Sequence, residues 1–187
     1  MRKYVILLCL GLCVVADATV TMRDILKSMP DSIIPLLSEN NRLDMIDFMD
    51  SNMNAEVTNV LNGKSNMPIL NDQYTKIKLT ESSVVEMLLL ETQEQVDSVN
   101  QILCVVKTFG TDIKESTIDF YSVKWRRLKT EDYMTQPDAD IWTATWNQQD
   151  AVMTIKPVTA LDPPANEEQK AIEKPLINLK WDGLNLK

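Results

Sequence analysis

The side chains that most often carry out catalysis are largely missing from this 187-residue chain. It has no histidine, which excludes Ser-His-Asp and Cys-His catalysis and every zinc site that needs an imidazole ligand. Its four glycines do not stand at the spacing of a P-loop or of a dinucleotide-binding loop. The remaining candidates for chemistry are the carboxylates, one cysteine in the body of the chain, and four tryptophans.

Carboxylates are abundant, with 27 Asp and Glu residues. A hydrolase that uses two paired carboxylates is therefore compatible with the composition, although no spacing selects a pair. Asp44, Asp47 and Asp50 repeat every three residues on a predicted helix, where their oxygens would suit a divalent cation. The simpler interpretation, which we prefer, is a solvated acidic face.

The cysteine and the aromatic residues favour packing over chemistry. Cys104 lies in the most apolar stretch of the chain, so we expect a buried thiol and not a reactive thiolate. We expect the four tryptophans to pack at the edge of the core, with a carbohydrate or peptide platform as the alternative: Trp125, Trp142, Trp146 and Trp181. For three methionines on one helix, core filling is preferred over an adaptable binding groove: Met45, Met49 and Met53. The sequence assigns no catalytic, cofactor-binding or metal-ligating residue, and we expect no cofactor.

The N-terminus has the three parts of a cleavable signal peptide. Arg2 and Lys3 precede an uncharged, mostly apolar run over residues 4–15, and Ala16-Asp17-Ala18 is a typical cleavage site. The run is shorter than the roughly 20 residues of a transmembrane helix, so we expect no membrane span. We predict that residues 1–18 are removed and that residues 19–187 form one exported domain. The alternative is a buried N-terminal core helix.

The net charge of −8 repels phosphate backbones and anionic lipid surfaces. Nucleic acid is therefore excluded as a partner. The sequence does not predict the oligomeric state.

Helical signals come first along the chain. Thr21 and Asp24 form a capping-box pattern, and periodic apolar residues follow it. Residues 31–37 allow another turn or two of helix. We predict helices over 22–29, 40–53 and 55–61, the last ending at Gly63.

Strand signals follow the helical signals. Four runs predict a meander: 74–79, 84–90, 102–109 and 116–125, with a turn at 110–112 before the last. A hairpin is predicted over 141–155, a second about Asp182-Gly183, and a Pro-rich connector with a short helix over 156–175. This order predicts an α+β fold: N-terminal helices packed on an antiparallel meander sheet, with C-terminal strands and a hairpin completing it.

Several segments together resemble a family of exported proteins of unknown function from Bacteroidales. The likeness is carried by Met29 to Leu37, Asn41 to Asp50, Ala55 to Asn59, Phe120 to Trp125 and Pro175 to Trp181. The family has no assigned activity, so the resemblance transfers no functional residue. It implies a Gram-negative host, and hence the periplasm or the cell surface.

The implied host also suggests a modification. Bacteroidales O-glycosylate exported proteins at Asp-Ser or Asp-Thr followed by an apolar residue, and Asp31-Ser32-Ile33 and Asp97-Ser98-Val99 have that pattern. Ser32 and Ser98 are therefore candidate modification sites.

Three functional hypotheses follow. The leading one is a non-enzymatic periplasmic or surface binding module, whose partner is another envelope protein or a glycan. It predicts an exposed apolar patch on the open face of the sheet or along the helices. One alternative is a small hydrolase of envelope polymers, which needs a pocket with two carboxyl groups roughly 5–10 Å apart. The other alternative is an exported protein that binds divalent cations through the three aspartates.

Overall fold

The computed structural model describes residues 19–158 and 175–187. Its helices are α1 (Met22–Ser28) and α2 (Glu39–Asp50). Seven of the described strands form one sheet: β1 (Glu56–Thr58), β2 (Lys64–Leu70), β3 (Tyr74–Thr80), β4 (Ser83–Val96), β5 (Val99–Phe109), β6 (Glu115–Ser122) and β7 (Arg127–Leu128). Three more form a second sheet: β8 (Trp142–Asn147), β9 (Val152–Pro157) and β10 (Ile177–Lys180).

Both helices begin at a reciprocal capping box. The Thr21 hydroxyl accepts from the Asp24 N–H at 3.3 Å, and the Asp24 carboxylate accepts from the Thr21 N–H at 3.0 Å, as the sequence predicts. Ser38 and Asn41 repeat the arrangement at the start of α2. These caps satisfy N–H groups that have no partner inside the helix, so each helix starts at a defined residue.

The prediction of a helix over residues 55–61 is wrong. The chain there forms β1 and then a turn into β2. The side-chain oxygen of Asn59 accepts from the N–H groups of Leu61 at 3.1 Å and Gly63 at 3.0 Å, and these bonds hold the turn. Residues 31–37 likewise form successive turns and no helix.

The large sheet is an antiparallel meander whose strands lie in chain order. The four predicted strands correspond to β3–β6, and the structure adds β1, β2 and β7. Strand β4 pairs with β5 in a register that places Met87 opposite Val105. Val85 and Met87 belong to the core under the helices, whereas Leu88 belongs to the core on the opposite face. Burial on both faces explains the near-continuous apolar runs of these two strands.

The large sheet is the middle of three layers. The helices pack on one face, and the second sheet, with the strand order β10-β9-β8, packs on the other. The α+β class is confirmed, and the C-terminal strands complete the fold as a separate sheet laid over the meander.

Strand β8 lies at the edge of the small sheet, but two of its backbone N–H groups donate to side chains of the large sheet. Ala144 donates its N–H to the Ser116 hydroxyl at 3.0 Å, and Trp146 donates its N–H to the Glu86 carboxylate at 2.9 Å. These side chains occupy the place of a neighbouring strand, which protects the edge from pairing with another chain.

Two predictions lie outside the described residues: the signal peptide, and most of the connector with its short helix. Within the described ranges, no helix has the length and apolarity needed to cross a membrane.

Candidate functional site

A surface cavity of about 560 Å³ opens where the turn between β2 and β3 meets the turn between β8 and β9. We call it the inter-hairpin cleft. The residues that line it are mostly amides and one carboxylate: Asn71, Asp72, Gln73, Tyr74, Gln148 and Gln149.

Asn71 stabilises the turn between β2 and β3 and bonds it to the turn between β8 and β9. Its side-chain oxygen accepts from the N–H groups of Gln73 at 3.0 Å and Tyr74 at 2.7 Å. Its amide nitrogen donates to the Gln148 side-chain oxygen at 2.6 Å. A single side chain therefore shapes the first turn and bonds to the second.

Helix α1 holds the same turn from the other side. The Met22 N–H donates to the Asp72 carbonyl at 2.7 Å, and the Arg23 guanidinium lies 3.3 Å from the Asp72 carboxylate. The second turn has its own support, because the Asn147 side chain accepts from the Gln149 N–H at 3.1 Å and donates to Asp150 at 3.1 Å. Both walls are fixed before any ligand arrives.

The exposed side chains of the cleft are not committed to the fold. Gln73 and Gln149 are exposed, and within the described part of the chain their side-chain amides make no hydrogen bond. Each offers an NH₂ donor and a carbonyl acceptor. The cleft therefore presents unpaired polar groups on a fixed backbone.

Tyr74 lines the cleft, but its side chain is buried in the core between the two sheets. It is 3% exposed, and burial together with the nearby Glu86 carboxylate raises the pKa of its hydroxyl. The Glu86 carboxylate is itself buried, bonded to Trp146 and 2.8 Å from the Lys76 ammonium. These partners give Glu86 a structural role, and it does not line the cleft.

Two cavities of the described structure were compared with the pocket that a carboxylate-dependent hydrolase needs, and neither matches it. The inter-hairpin cleft has Asp72 as the one carboxylate of its lining. A second cavity of about 360 Å³, beside the turn between β5 and β6, has Glu115 alone. Acid and base roles at a glycosidic bond require two carboxyl groups in one site, and neither cavity brings two together.

The three aspartates proposed for cation binding all lie exposed on α2. Asp50 is bonded to Arg23 at 2.7 Å, and that bond lowers the pKa of the Asp50 carboxyl. Within the described residues, no group of three or more Cys, Asp or Glu side chains is placed to hold a metal ion.

Cys104 and the tryptophans pack in the core or at its edge, as preferred from the sequence. Cys104 is 0% exposed between the two sheets, and burial raises the pKa of its thiol. Trp125 packs on the helix side of the large sheet, whereas the other three tryptophans pack on the opposite side. Lying on two faces, the four cannot form one platform.

The exposed apolar patch expected of a binding module does not lie on a face of the large sheet, because layers cover both faces. Exposed large apolar side chains lie instead in turns, loops and near strand ends: Met53, Val60, Leu61, Phe109, Ile113, Leu176, Ile177 and Leu184. Of the three helix methionines, Met45 is buried and Met53 is exposed. The candidate modification residues Ser32 and Ser98 are both exposed.

Sequence reasoning missed the inter-hairpin cleft. It predicted the loop 147–150 as a hairpin turn, but nothing in the sequence indicates that this loop meets residues 71–74. The available signal was the amide-rich composition of both segments.

Comparisons with known proteins identify a similar fold and a family, but no activity. The structure is similar to that of a domain of an uncharacterised protein from Porphyromonas gingivalis W83, with a TM-score of 0.71 and 19% sequence identity. The likeness covers 89% of this chain and 96% of that chain. No curated protein matches the sequence. A family model described as "Protein of unknown function (DUF3256)" matches residues 14–165, and the chain belongs to that family.

Proposed function

We propose that this protein is an exported, non-enzymatic binding module whose ligand lies in the inter-hairpin cleft. One observation carries the proposal: the exposed side-chain amides of Gln73 and Gln149, which bond to no other described residue, lie on turns that Asn71 and Asn147 hold in place. Because the turns are held in advance, binding has to order the glutamine side chains but not the backbone that carries them.

The chemistry of the described residues supports binding without catalysis. Asp72 is the one carboxylate of the cleft lining and is paired with Arg23. The Cys104 thiol is buried between the sheets, and the chain has no histidine. No group in the cleft lining combines a nucleophile with a base.

Two features support export. Residues 1–18 have the composition of a signal peptide, and the folded part is anchored just after them. The buried Gln101 side chain accepts from the Val20 N–H at 2.9 Å and donates to the Val20 carbonyl at 3.4 Å. Cleavage after Ala18 would remove no residue of a described helix or strand. The periplasm or cell surface is the proposed location, with an envelope protein or a glycan as partner.

Sequencing the N-terminus of the native protein tests the location. We expect Thr19 as the first residue of material recovered from the cell envelope. Met1 on protein recovered from the cytosol would contradict export.

The binding proposal is tested with immobilised protein and native envelope extract. We compare wild-type residues 19–187, the double variant Gln73→Ala/Gln149→Ala, and Gln136→Ala, whose side chain is exposed and does not line the cleft. We expect wild type and Gln136→Ala to retain the same component and the double variant to lose it. Equal retention by all three proteins would contradict the proposal. Near-UV circular dichroism confirms that each variant is folded.

A further inference from the structure

We infer that the ligand of the inter-hairpin cleft is a neutral saccharide, an inference that rests on the proposed binding function. The cleft offers the amides of Gln73, Gln148 and Gln149 as its main hydrogen-bonding groups. An amide side chain presents an NH₂ donor and a carbonyl acceptor on the same carbon atom. Neighbouring sugar hydroxyls each donate and accept, so one amide can bond to two of them.

The charge around the cleft favours a neutral ligand. Among the described residues, no Lys or Arg lines it, and Asp72 is the one charged side chain of its lining. This carboxylate and the net charge of −8 oppose an anionic polymer. A cationic ligand would compete with Arg23, which lies 3.3 Å from the Asp72 carboxylate.

The backbone of the cleft argues against an extended peptide. Peptides that add to a sheet need unpaired backbone groups along a strand edge. Here the Asn71 N–H donates to the Tyr74 carbonyl at 2.9 Å, and the Leu89 N–H donates to the Gln73 carbonyl at 2.8 Å. The N–H groups of Gln73 and Tyr74 are bonded to Asn71. The first turn therefore offers a ligand its side chains and little backbone.

The size of the cleft is compatible with this ligand. Its volume of about 560 Å³ lies within the roughly 300–1,000 Å³ range of small-molecule sites.

Chemical treatment of the envelope extract distinguishes a saccharide from a protein ligand. Periodate cleaves the carbon–carbon bond of vicinal diols and so destroys most sugar rings. We expect periodate-treated extract to lose retention on the wild-type protein and protease-treated extract to keep it. The opposite result overturns the saccharide inference. It leaves the binding module standing, provided that Gln73→Ala/Gln149→Ala still loses retention.

A direct titration locates the contact. Isotope-labelled protein is mixed with neutral oligosaccharides released from the native envelope and freed of protein. We expect the side-chain NH₂ signals of Gln73, Gln148 and Gln149 to shift while that of Gln136 stays in place. The double variant should bind at least ~10-fold more weakly, and Gln136→Ala as tightly as wild type. Unchanged cleft signals at saturating oligosaccharide overturn the inference.

Discussion

Arg42 is an almost fully buried arginine, 2% exposed, whose guanidinium joins α1, the following loop and α2. It donates to the carbonyls of Leu26 at 3.2 Å, Met29 at 2.5 Å and Leu37 at 2.9 Å. It also lies 2.6 Å from the Asp31 carboxylate. The carbonyls of Leu26 and Met29 lie at the end of α1, where backbone carbonyls lack partners inside the helix, and the Leu37 carbonyl lies just before α2. The sequence did not reveal this role, because an arginine on a helix is ordinarily exposed.

Replacing Arg42 by methionine should therefore strongly destabilise the fold. Three carbonyls would lose the guanidinium as a donor, and only that of Leu26 would keep a second donor, the Met29 N–H at 3.5 Å, within the described residues. We expect a loss of about 3–5 kcal/mol in the free energy of unfolding. Urea denaturation of the two proteins measures the change. The control is Asp31→Asn, whose side chain is 64% exposed. It should cost less than Arg42→Met, because the asparagine oxygen can still accept from the guanidinium and the three carbonyl bonds remain. Similar losses in the two variants would contradict the role given to the carbonyl bonds.

The buried hydroxyl of Tyr74 should lower the free energy of unfolding at alkaline pH. Burial and Glu86 raise the pKa of its hydroxyl in the folded state, whereas an unfolded tyrosine has a pKa of about 10. Above that pH the unfolded chain has lost a proton that the folded chain keeps, so stability decreases as pH rises. Tyr74→Phe should flatten this decrease when urea midpoints are compared between pH ~8 and ~11.

The less buried Tyr133 provides the comparison for Tyr74. Burial also raises the pKa of its hydroxyl, but its side chain is only half-buried. Tyr133→Phe should therefore flatten the alkaline decrease less than Tyr74→Phe does. An identical slope in wild type and Tyr74→Phe would show that this hydroxyl does not titrate differently on folding.

At the scale of the elements, the sequence predicts what is set locally. Thr21 and Asp24 fix the start of α1 within four residues, and the apolar runs of β4 and β5 indicate strands buried on both faces. The failure at residues 55–61 has a physical reason. Asn59 bonds to Ser65 and to the Leu79 carbonyl, and the second of these partners lies twenty residues further along the chain.

The inter-hairpin cleft was beyond sequence reasoning for the same reason. Asn71 and Gln148 are separated by 77 positions, and they lie in turns that join strands of different sheets. Local patterns predict a turn at 147–150, but only the packing of one sheet on the other brings the two turns together. Side-chain amides are also common on surfaces, so their presence alone does not indicate a site.

The turn between β5 and β6 depends on Gly110. Its φ of +114° is rarely adopted by other residues, and a Cβ there would lie 1.9 Å from the Ile113 carbonyl oxygen. Gly110→Ala should therefore cost more than about 1 kcal/mol in the free energy of unfolding, measured with urea. Gly63→Ala is the matched control, since its Cβ would meet only the Asn59 side chain, at 3.3 Å. Equal costs would contradict the strain assigned to Gly110.

At the scale of the whole molecule, one sheet serves two cores. Residues of β4 alternate between the helix side and the small-sheet side, so the outer layers are coupled through the same strands. The small sheet is held down by apolar contacts and by the bonds of Glu86 and Ser116 to β8. Its position also sets the inter-hairpin cleft, because Gln148 and Gln149 lie in its turn.

Removing the Glu86 carboxylate should loosen the small sheet. In Glu86→Ala the buried backbone N–H of Trp146 loses its acceptor and Lys76 loses its ion-pair partner. We expect the free energy of unfolding to fall by about 2–3 kcal/mol. Hydrogen exchange should quicken at the Trp146 amide, and the cleft should bind its ligand more weakly. Glu86→Gln keeps a side-chain acceptor and should show smaller changes. Ser116→Ala, which removes the bonds to the Ala144 N–H and to the Thr108 hydroxyl, should quicken exchange at Ala144 and leave Trp146 protected. If Glu86→Ala leaves exchange at Trp146 unchanged, the apolar contacts alone hold this sheet, and the two turns of the cleft are positioned without the buried carboxylate.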